Sequence, residues 1–591
     1  MSFSTSQTSS GDRHNDHGDA ADDVDGNIYP AIEGFHTKFF EAKPWSSAAD
    51  RLVQASKADA SSVDVHSHGG FATWLSHFQF HLPGDMSPRY AWLGKALVLS
   101  PRAGPGHDVG AEPGWADIMV VGEFRADGPY RTGFLNLCCH ARAVFAHQPS
   151  RLFLHGFYVC RGQMELWVFD RSGLYGSEAF EIAQDTDRFL TVLVGYMLME
   201  DAELGASGLI QEDSQEQFVE CESEDGGGRA RLDLGEPTIF ARVNKDIISD
   251  GLTCYRARQQ GLDRWDLVVK MKWSTASAKS DLEVKMLQLV KERKIRGVLQ
   301  LFSHQTICTT DTLHKGLRIK APRELRRHDH DAAVSEATDA RSALEDTVEV
   351  EGASAPGNKI FTCIVVSPLG ESLHRFQTVP ELLLALRDAI RAHRSLYQDA
   401  GILHQDICPG NIITPIWEDG GILIDLDSAK MASEPGKQFE GIGTPPFQAI
   451  GVLQAYLPDN PHTYRHDLES FLYTFLFLAT CQRPVSPGLN QLQLPSTSIL
   501  YQWTQGRPVD QARRKTSDMA AENFGRIIAE FTPEFKRLGD FAEELRGILF
   551  PTRDGRPWTG TDTTAEGTNA LYDAMIGAFD GAIARFSGSS L

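Results

Sequence analysis

The sequence predicts an α+β chain in which a two-lobed fold follows an accessory α/β domain. A segment with the spacing H-x-D-x-x-x-x-N runs from His404 to Asn411, and a short apolar strand after it leads into Asp425. Strand patterns dominate residues 238–366, whereas long helical patterns fill the chain beyond residue 378. Strand and helix patterns also mix before residue 210, and a polar, acidic, Gly-containing stretch separates that part from the rest.

Length and composition limit the class of protein. The 591 residues are too many for one domain, and a hydrophobic content of 41% is enough for large cores. The net charge of −22 argues against a protein that coats nucleic acid or binds membranes through basic residues. The nine Cys contain no C-x-x-C pair and are typical of thiols in a reducing compartment. Because no apolar run could span a bilayer, we expect an intracellular protein, cytoplasmic or nuclear, without membrane or nucleic-acid partners.

The N-terminal part is predicted to contain three units. Residues 1–28 are polar and acidic with almost no large apolar side chain, which predicts disorder. Residues 29–210 are predicted to form the accessory α/β domain, with a helix over 131–147 and a hairpin formed by 151–159 and 164–169. The acidic stretch 211–235 contains three consecutive Gly residues and is predicted to be a linker.

Residues 236–366 are predicted to form the small lobe. The segments 253–258 and 265–272 flank a Gly-containing turn and read as a hairpin, and 280–294 has helical apolar spacing. Within this lobe, residues 321–358 are charged and nearly free of large apolar side chains, which predicts a disordered insertion.

Residues 367–591 are predicted to form the large lobe. Thr378 and Glu381 have the spacing of a capping box at the start of a long helix, and Gly401 is placed to end it. The segment 466–479 is apolar nearly all round, as expected for a helix at the centre of a large core.

The H-x-D-x-x-x-x-N segment and the acidic turn after it have the spacing of the catalytic loop and metal-binding turn of protein kinases. Phosphoryl transfer requires a positioned nucleotide, neutralised phosphate charge and an oriented hydroxyl group. Asp406 is the candidate base that orients the hydroxyl. Asn411 could coordinate Mg²⁺ and brace the loop, and Asp425 could hold Mg²⁺ on the β- and γ-phosphates.

An upstream Lys should hold the α- and β-phosphates, and a helical Glu should hold that Lys. The strand-like segment ending at Lys270 resembles V-A-I-K, and Lys272 is a rival on the same face of the strand. Glu283 on the following helix is the candidate partner. Its alternative role is that of capping-box partner to Ser280.

Six motifs together resemble those of the fungal-type protein kinase family: RLFLHG at 151–156, LWVFDRSG at 166–173, HQDICPGNI at 404–412, LIDLD at 423–427, GTPPFQAI at 443–450 and HDLESF at 466–471. The resemblance extends roughly from residue 69 to the C-terminus and implies a protein-kinase-like fold. It also implies ATP, Mg²⁺ and transfer of the γ-phosphoryl group to a hydroxyl of a protein substrate. The substrate and the oligomeric state stay open.

The resemblance also implies roles for supporting residues. Asp467 should brace the catalytic loop from the buried helix. Residues 443–450 should form the substrate-side end of the activation segment, with Gly443 and Thr444 as structural support. His404 is expected to support the catalytic loop.

The chain departs from the usual kinase pattern at several positions. Gln405 replaces an Arg that could pair with an activating phosphate, and Cys408 stands where many serine/threonine kinases have a Lys. Gly451 replaces a Glu that usually locks the activation segment, and Asp427 replaces the Gly of D-F-G. Gly251 is the only glycine between residues 239 and 258, so it alone represents the phosphate-covering loop.

The leading hypothesis is therefore an ATP-dependent protein kinase directed at serine or threonine, and the alternative is a pseudokinase that acts as a binding or scaffold module. A small-molecule kinase shares the H-x-D-x-x-x-x-N spacing, but the Gly-Thr-Pro sequence at 443–445 argues against that class of enzyme. A restriction-nuclease-like site at Asp117, Glu123 and Arg125 is a further alternative, with Arg in place of the usual Lys.

Overall fold

In a computed structural model, the structure describes residues 10–60, 63–78, 89–93, 97–101, 114–213, 216–222, 228–237, 246–277, 281–326, 342–350, 352, 355–434, 443–454, 461–482, 492–553 and 555–587. The strands of these residues are β1 (Ile28–Tyr29), β2 (Tyr90–Leu93), β3 (Val98–Pro101), β4 (Val120–Arg125), β5 (Phe153–Cys160), β6 (Gln163–Asp170), β7 (Gly173–Gly176), β8 (Phe180–Glu181), β9 (Gln211–Glu212), β10 (Gln217–Glu222), β11 (Arg229–Pro237), β12 (Thr253–Gln259), β13 (Leu267–Thr275), β14 (Gln300–Thr309), β15 (Arg323–Leu325), β16 (Thr347–Glu349), β17 (Lys359–Ser367), β18 (Gly370–Ser372), β19 (Ile402–Leu403), β20 (Ile412–Pro415), β21 (Ile422–Leu423), β22 (Lys430–Met431), β23 (Thr552–Arg553) and β24 (Arg556–Pro557).

The helices of the same residues are α1 (Ser10–Val24), α2 (Phe35–Phe40), α3 (Ser46–Ala60), α4 (His68–Phe78), α5 (Tyr130–His147), α6 (Thr186–Leu198), α7 (Leu282–Glu292), α8 (Thr310–His314), α9 (Ala343–Asp346), α10 (Val379–Ala400), α11 (Ile450–Gln454), α12 (Tyr464–Thr480), α13 (Ile499–Gln502), α14 (Pro508–Asp518), α15 (Ala521–Ala529), α16 (Gly539–Leu549) and α17 (Ala565–Ser587). None of these described helices is both long enough and apolar enough to cross a membrane.

A ten-stranded mixed sheet dominates the N-terminal part of the chain. Its strand order is β16-β15-β1-β7-β6-β5-β4-β3-β2, and β8 pairs with β6 outside that order. The predicted hairpin is present as β5 and β6. Alternate residues of β5 belong to different cores, Phe157 to one and Tyr158 to the other. Helices therefore cover both faces: α3, α4 and α6 on one side, α1 and α5 on the other.

The structure contradicts the predicted disorder of residues 1–28 in the part that it describes. α1 packs against α5 with Ala20 and Val24 fully buried, and β1 pairs with β7. The prediction counted large apolar side chains, of which α1 has few. Two small buried residues suffice because the Asp23 carboxylate also accepts hydrogen bonds from the backbone N–H groups of Ile247 and Ile248.

The predicted disordered insertion 321–358 is also wrong in its described residues. β15 and β16 pair with each other and extend the ten-stranded sheet, where Arg323 of β15 lies opposite Ile28 of β1. Strand addition uses backbone hydrogen bonds, so a segment with few large apolar residues can still be ordered by an existing sheet edge. Residues 327–341, 351 and 353–354 of this segment lie outside the described residues.

The predicted linker 211–235 forms strands instead. It contributes β9, β10 and most of β11 to a seven-stranded antiparallel sheet, in which Val219 and Leu232 are fully buried. These apolar residues alternate with charged ones, and the acidic and Gly-rich residues between them concealed the pattern. Residues 214–215 and 223–227 lie outside the described residues.

The strand order of this second sheet is β14-β17-β13-β12-β11-β10-β9. The predicted hairpin is present as β12 and β13. The sheet curls until β10 approaches β14, where Ser303 Oγ donates a hydrogen bond to the backbone oxygen of Glu222 at 2.6 Å. α7 packs against β14 on the side that faces the helical remainder of the chain.

The helical remainder is built around α10 and α12. Thr378 and Glu381 form the predicted capping box of α10, and Gly401 ends that helix with a φ of 68°. α12 is buried over nearly its whole surface, as its apolar sequence predicts. α10 and α16 pack against α12, and α17 packs against α10 and α16.

Candidate active site

A cleft with a volume of about 600 Å³ lies between the seven-stranded sheet and the helical part. Its walls include the apolar side chains of Val268, Leu299 and Ile424. The predicted residues Lys270, Glu283 and Asp425 line one end of the cleft, together with Lys272 and Asp427. This volume is within the range of small-molecule sites in proteins.

The carboxylate of Asp406 is held by donors on both oxygens. Thr444 donates to Oδ1 from its backbone N at 2.8 Å and from its hydroxyl at 2.7 Å. Asn411 donates from Nδ2 to Oδ2 at 3.0 Å and to the Asp406 backbone oxygen at 2.8 Å. The side-chain nitrogen of Asn411, a predicted metal ligand, therefore faces Asp406.

Asp467 of α12 braces the loop that carries Asp406. Its carboxylate accepts hydrogen bonds from the backbone N–H groups of His404 and Gln405 at 3.0 and 3.1 Å. It also contacts the ring nitrogens of His393 and His462 at 2.8 and 2.7 Å. Although burial opposes ionisation, these histidines and their hydrogen bonds lower the pKa of Asp467.

Backbone geometry at the site is strained in two places. Gln405 and Asp425 have φ angles of 68° and 65°, which L-residues with side chains seldom adopt. The neighbouring His404 ring, whose pKa is lowered by burial, bonds through Nε2 to the Ile424 backbone oxygen at 3.0 Å. The His404 contact joins the loop that carries Asp406 to the turn that carries Asp425.

Lys270 connects three elements that are distant in sequence. Its ammonium group lies 2.8 Å from Glu283 Oε1 on α7 and 3.2 Å from Asp425 Oδ1. Burial would lower the pKa of Lys270, but the negative charges of Asp425, Glu283 and Asp427 raise it well above the ordinary value. Lys270 is therefore held as a cation between α7 and the Asp425 turn.

Lys272, the rival of Lys270, occupies the same end of the cleft. Its ammonium group lies 2.7 Å from Glu283 Oε2 and contacts Asp427. Glu283 thus receives one lysine on each oxygen, while burial raises its own pKa. Ser280, its proposed capping partner, lies outside the described residues, and Asp281 is the N-cap residue of α7.

Three carboxylates at this end of the cleft could share a metal ion. One oxygen from each of Glu283, Asp425 and Asp427 lies within 4.8 Å of the other two. Burial opposes the charge of Asp427, but Lys270 and Lys272 lower its pKa. Carboxylate oxygens are the ligands that Mg²⁺ prefers, so this donor set fits the expected metal.

Gly251 lies close to Arg171, which follows β6 of the ten-stranded sheet. Its φ is 56°, and a Cβ at this position would come 3.0 Å from the guanidinium carbon of Arg171. The adjacent Asp250 and Leu252 line the cleft. The phosphate-covering role of Gly251 stays a prediction.

Of the proposed nuclease residues, Glu123 and Arg125 interact electrostatically, but no described contact joins Asp117 to either of them. The Asp117 carboxylate accepts a hydrogen bond from the backbone of Gly114 in its own turn. Glu123 accepts one from Asn136, and burial raises the pKa of Glu123 to about 7. Among the described residues, the only group of three carboxylates close enough to share a metal is the one in the cleft.

Two residues that sequence reasoning missed hold the segment 443–450. Lys515 of α14 is fully buried and donates to the backbone oxygens of Pro446 and Gln448, each at 2.5 Å. Glu469 of α12 accepts from the Ile450 backbone N at 2.6 Å and pairs with Arg465 at 2.8 Å. Of the two, only Glu469 could have been recognised from the sequence, because it is a charged residue four positions after Arg465 in an otherwise apolar helix.

Neighbouring atoms leave no room for a side chain at Gly443, in this segment, or at Gly451, directly after it. Gly443 has a φ of 93°, and a Cβ there would lie 3.1 Å from the Gln405 backbone oxygen. A Cβ on Gly451 would come 2.5 Å from the His466 ring. Gly443 thus lets Thr444 reach Asp406, whereas Gly451 leaves room for the buried helix.

Comparison with known proteins agrees with the resemblance expected from the sequence. The model of the fungal protein kinase family matches residues 97–479, well over half of the chain. The match begins one residue before β3, includes the H-x-D-x-x-x-x-N segment and ends in α12. A comparison with curated proteins finds no match. The chain belongs to the fungal protein kinase family.

Proposed function

We propose that the chain is an ATP-dependent protein kinase that transfers the γ-phosphoryl group to serine or threonine hydroxyls of a protein. The observation that carries this proposal is the bridge that Lys270 makes between Glu283 and Asp425. A Lys held by a helical Glu beside a metal-binding Asp is the arrangement that positions nucleotide phosphates in kinases.

The cleft offers separate surfaces to the parts of the nucleotide. The apolar side chains of Val268, Leu299 and Ile424 can pack against a flat purine base. Lys270 can then bind the α- and β-phosphates. Mg²⁺, when bound, would neutralise charge on the β- and γ-phosphates, and Asp425 and Asp427 are the residues that would hold it.

Asp406 is the residue that orients the acceptor hydroxyl. Its carboxylate accepts the hydroxyl proton as the hydroxyl oxygen bonds to the γ-phosphorus, and the bond from that phosphorus to the β–γ bridging oxygen breaks. Asn411 and Thr444 fix the direction of the carboxylate. Cys408 supplies no positive charge to the transferred group, because burial raises the pKa of its thiol to about 12 and keeps it neutral.

The test is phosphotransfer from Mg-ATP to generic protein acceptors by the wild type and by Asp406→Asn. We expect the variant to lose about a thousandfold in rate, since the acceptor hydroxyl is no longer activated. Asp419→Asn, which changes an exposed carboxylate in the same way, should keep the wild-type rate. An unchanged rate in Asp406→Asn would exclude the proposed role of Asp406.

A pseudokinase that acts as a scaffold is the second candidate. It is favoured by the loop residues Ile247 and Ile248, whose backbone N–H groups are bound by Asp23 and so cannot bind phosphate. Thermal unfolding with millimolar Mg-ATP separates the two functions, because a ligand that binds the folded state raises the melting temperature. A shift supports the kinase, and its absence supports the scaffold.

A further inference from the structure

In chain order, the connection between β11 and β12 corresponds to the phosphate-covering loop of a kinase. Its described residues, 246–252, reach the cleft through the side chains of Asp250 and Leu252. The remaining residues of this connection, 238–245, lie outside the described residues. The described part is therefore one wall of the proposed nucleotide site.

The side chain of Ile247 in this wall is buried away from the cleft. It is fully buried and belongs to the core beneath the ten-stranded sheet, the same core that contains Val24 of α1 and Phe145 of α5. Ile248 packs against that core. Side chains of this wall therefore pack in the hydrophobic core of the N-terminal part.

Two charged residues of the N-terminal part hold the backbone of the same segment. Asp23, whose side chain is 2% exposed, accepts from the N–H groups of Ile247 and Ile248 at 2.7 and 3.0 Å. Arg171 donates through Nη1 to the backbone oxygen of Asp246 at 2.7 Å and to Ser249 Oγ at 3.1 Å. Arg171 lies in the DRSG motif at 170–173, to which the catalytic chemistry gives no role.

The seven-stranded sheet holds the segment from its other side. The backbone N of Trp273 in β13 donates to the Asp250 backbone oxygen at 2.7 Å. Lys359 at the start of β17 donates to the backbone oxygens of Arg171 and Ser249. The segment is consequently fixed to both sheets at once.

We propose that Asp23 and Arg171 are positioning residues of the nucleotide site. They hold residues 246–252 as a fixed wall of the cleft, so nucleotide affinity depends on the N-terminal sheet and on α1. This fixation takes the place of the flexible glycine-rich loop that the chain lacks. The inference rests on the proposed function for its nucleotide, but the anchoring itself does not require that nucleotide.

The test compares Asp23→Asn with Asp22→Asn in the full-length protein. Asn keeps the size of Asp23 but offers one acceptor oxygen in place of two, whereas Asp22 is exposed and gives the same change of charge one residue away. Hydrogen exchange of the Ile247 and Ile248 amides, without nucleotide, reports the anchor. Calorimetric titration with Mg-ATP reports the Kd.

We expect Asp23→Asn to raise both the amide exchange rate and the Kd for Mg-ATP about tenfold, and Asp22→Asn to change neither. Arg171→Lys, which keeps the charge but not the planar fork, should act in the same direction. Wild-type-like exchange in Asp23→Asn, or faster exchange with an unchanged or lower Kd, would overturn the proposal. Failure of the wild type to bind Mg-ATP would contradict the kinase function instead, and the exchange rates would still decide whether the anchor exists.

Discussion

At the scale of single residues, Glu283 determines how the two lysines of the cleft act. Each of its oxygens is occupied, one by Lys270 and the other by Lys272. Lys272 is also paired with Asp427, which stands where D-F-G has glycine. The carboxylate of Asp427 is thus paired with the positive charge of Lys272. Lys270 also lies 3.6 Å from Asp427 Oδ2, but its contact with Asp425 at 3.2 Å distinguishes it from Lys272 among the described ion pairs.

We therefore expect Lys270→Met and Lys272→Met to differ in kinetic effect. Lys270→Met should lower kcat/KM for ATP about a hundredfold or more, because the cation nearest to Asp425 is lost. Lys272→Met should lower kcat/KM for ATP only about tenfold, because Glu283 loses one of its two lysine partners and holds Lys270 less firmly. Lys285→Met, which removes an exposed lysine of α7, the helix that carries Glu283, is the control. The opposite ranking would assign the phosphate contact to Lys272.

The Asp467 carboxylate should make stability depend on acid pH. Its pKa in the folded protein is below the ordinary value of 3.8, so its contribution is complete above that value and is lost as the pH falls below it. Asp467→Asn should lower the free energy of unfolding at pH 7 by about 3 kcal/mol, because His393 and His462 lose a buried partner. Urea unfolding at several pH values measures this difference.

The difference between the wild type and Asp467→Asn should be constant at neutral pH and shrink below pH 3.8. Asp399→Asn, at an exposed position of α10, should show no such difference. A difference that persists unchanged in acid would show that the charge of Asp467 does not brace the loop.

At the scale of elements, the segment 443–450 depends on α12 and α14. Lys515 lies over the rings of Tyr473 and Trp503, at 4.0 and 5.0 Å from their centroids. Burial lowers the pKa of Lys515 to about 7. A neutral amine still has two N–H donors for the Pro446 and Gln448 oxygens, so the contact survives loss of the proton.

Lys515→Met should release this segment while it keeps the packing over the rings. We expect faster hydrogen exchange in residues 446–450 and a several-fold higher KM for a protein substrate, since Thr444 then holds Asp406 less firmly. Lys536→Met removes an exposed lysine that also donates to a backbone oxygen, and serves as the control. Unaltered exchange in the segment would contradict the anchoring role of Lys515.

The pH dependence of stability gives a second check on Lys515. Between pH 7 and its ordinary pKa of 10.5, the unfolded chain binds a proton that the folded protein has released. The wild type should therefore gain stability relative to Lys515→Met as the pH rises above 7. A falling difference over this interval would show that the folded protein prefers the charged form.

How far the sequence predicts the site depends on the distance over which each contact acts. Asp406, Asn411 and Asp425 follow from spacing within one short stretch, and Lys270 with Glu283 follows from one strand and the next helix. Lys515 could not be found, because its partners are far away in the chain and its own helix is polar. The strands β15 and β16 were missed for a related reason, since a distant sheet edge supplies hydrogen bonds to β15.

At the scale of the whole molecule, the two large sheets share parts of the chain. In sequence, β15 and β16 lie between β14 and β17 of the seven-stranded sheet, but they pair with the ten-stranded sheet. Ile247, in the connection between β11 and β12 of the seven-stranded sheet, is likewise buried in the core beneath the ten-stranded sheet. Loss of either sheet would therefore expose buried groups of the other, which predicts one cooperative unfolding transition.

Ile247→Ala tests this cooperation. The substitution should lower the free energy of unfolding by about 3 kcal/mol, the usual cost of removing a fully buried isoleucine side chain. Far-UV circular dichroism and tryptophan fluorescence should report the same midpoint in the variant. Ile416→Ala, at a residue that is 47% exposed, should have little effect. Two separate transitions would show that the sheets unfold independently.

The pairing of Ile28 with Arg323 has a consequence for synthesis on the ribosome. The first strand of the chain leaves the ribosome long before its neighbour β15, so the growing chain presents an unpaired strand edge while β9 to β14 are still being made. Such edges template association with other chains. Once β15 and β16 have been made, they pair with that edge, and β16 becomes the terminal strand of the sheet in its place.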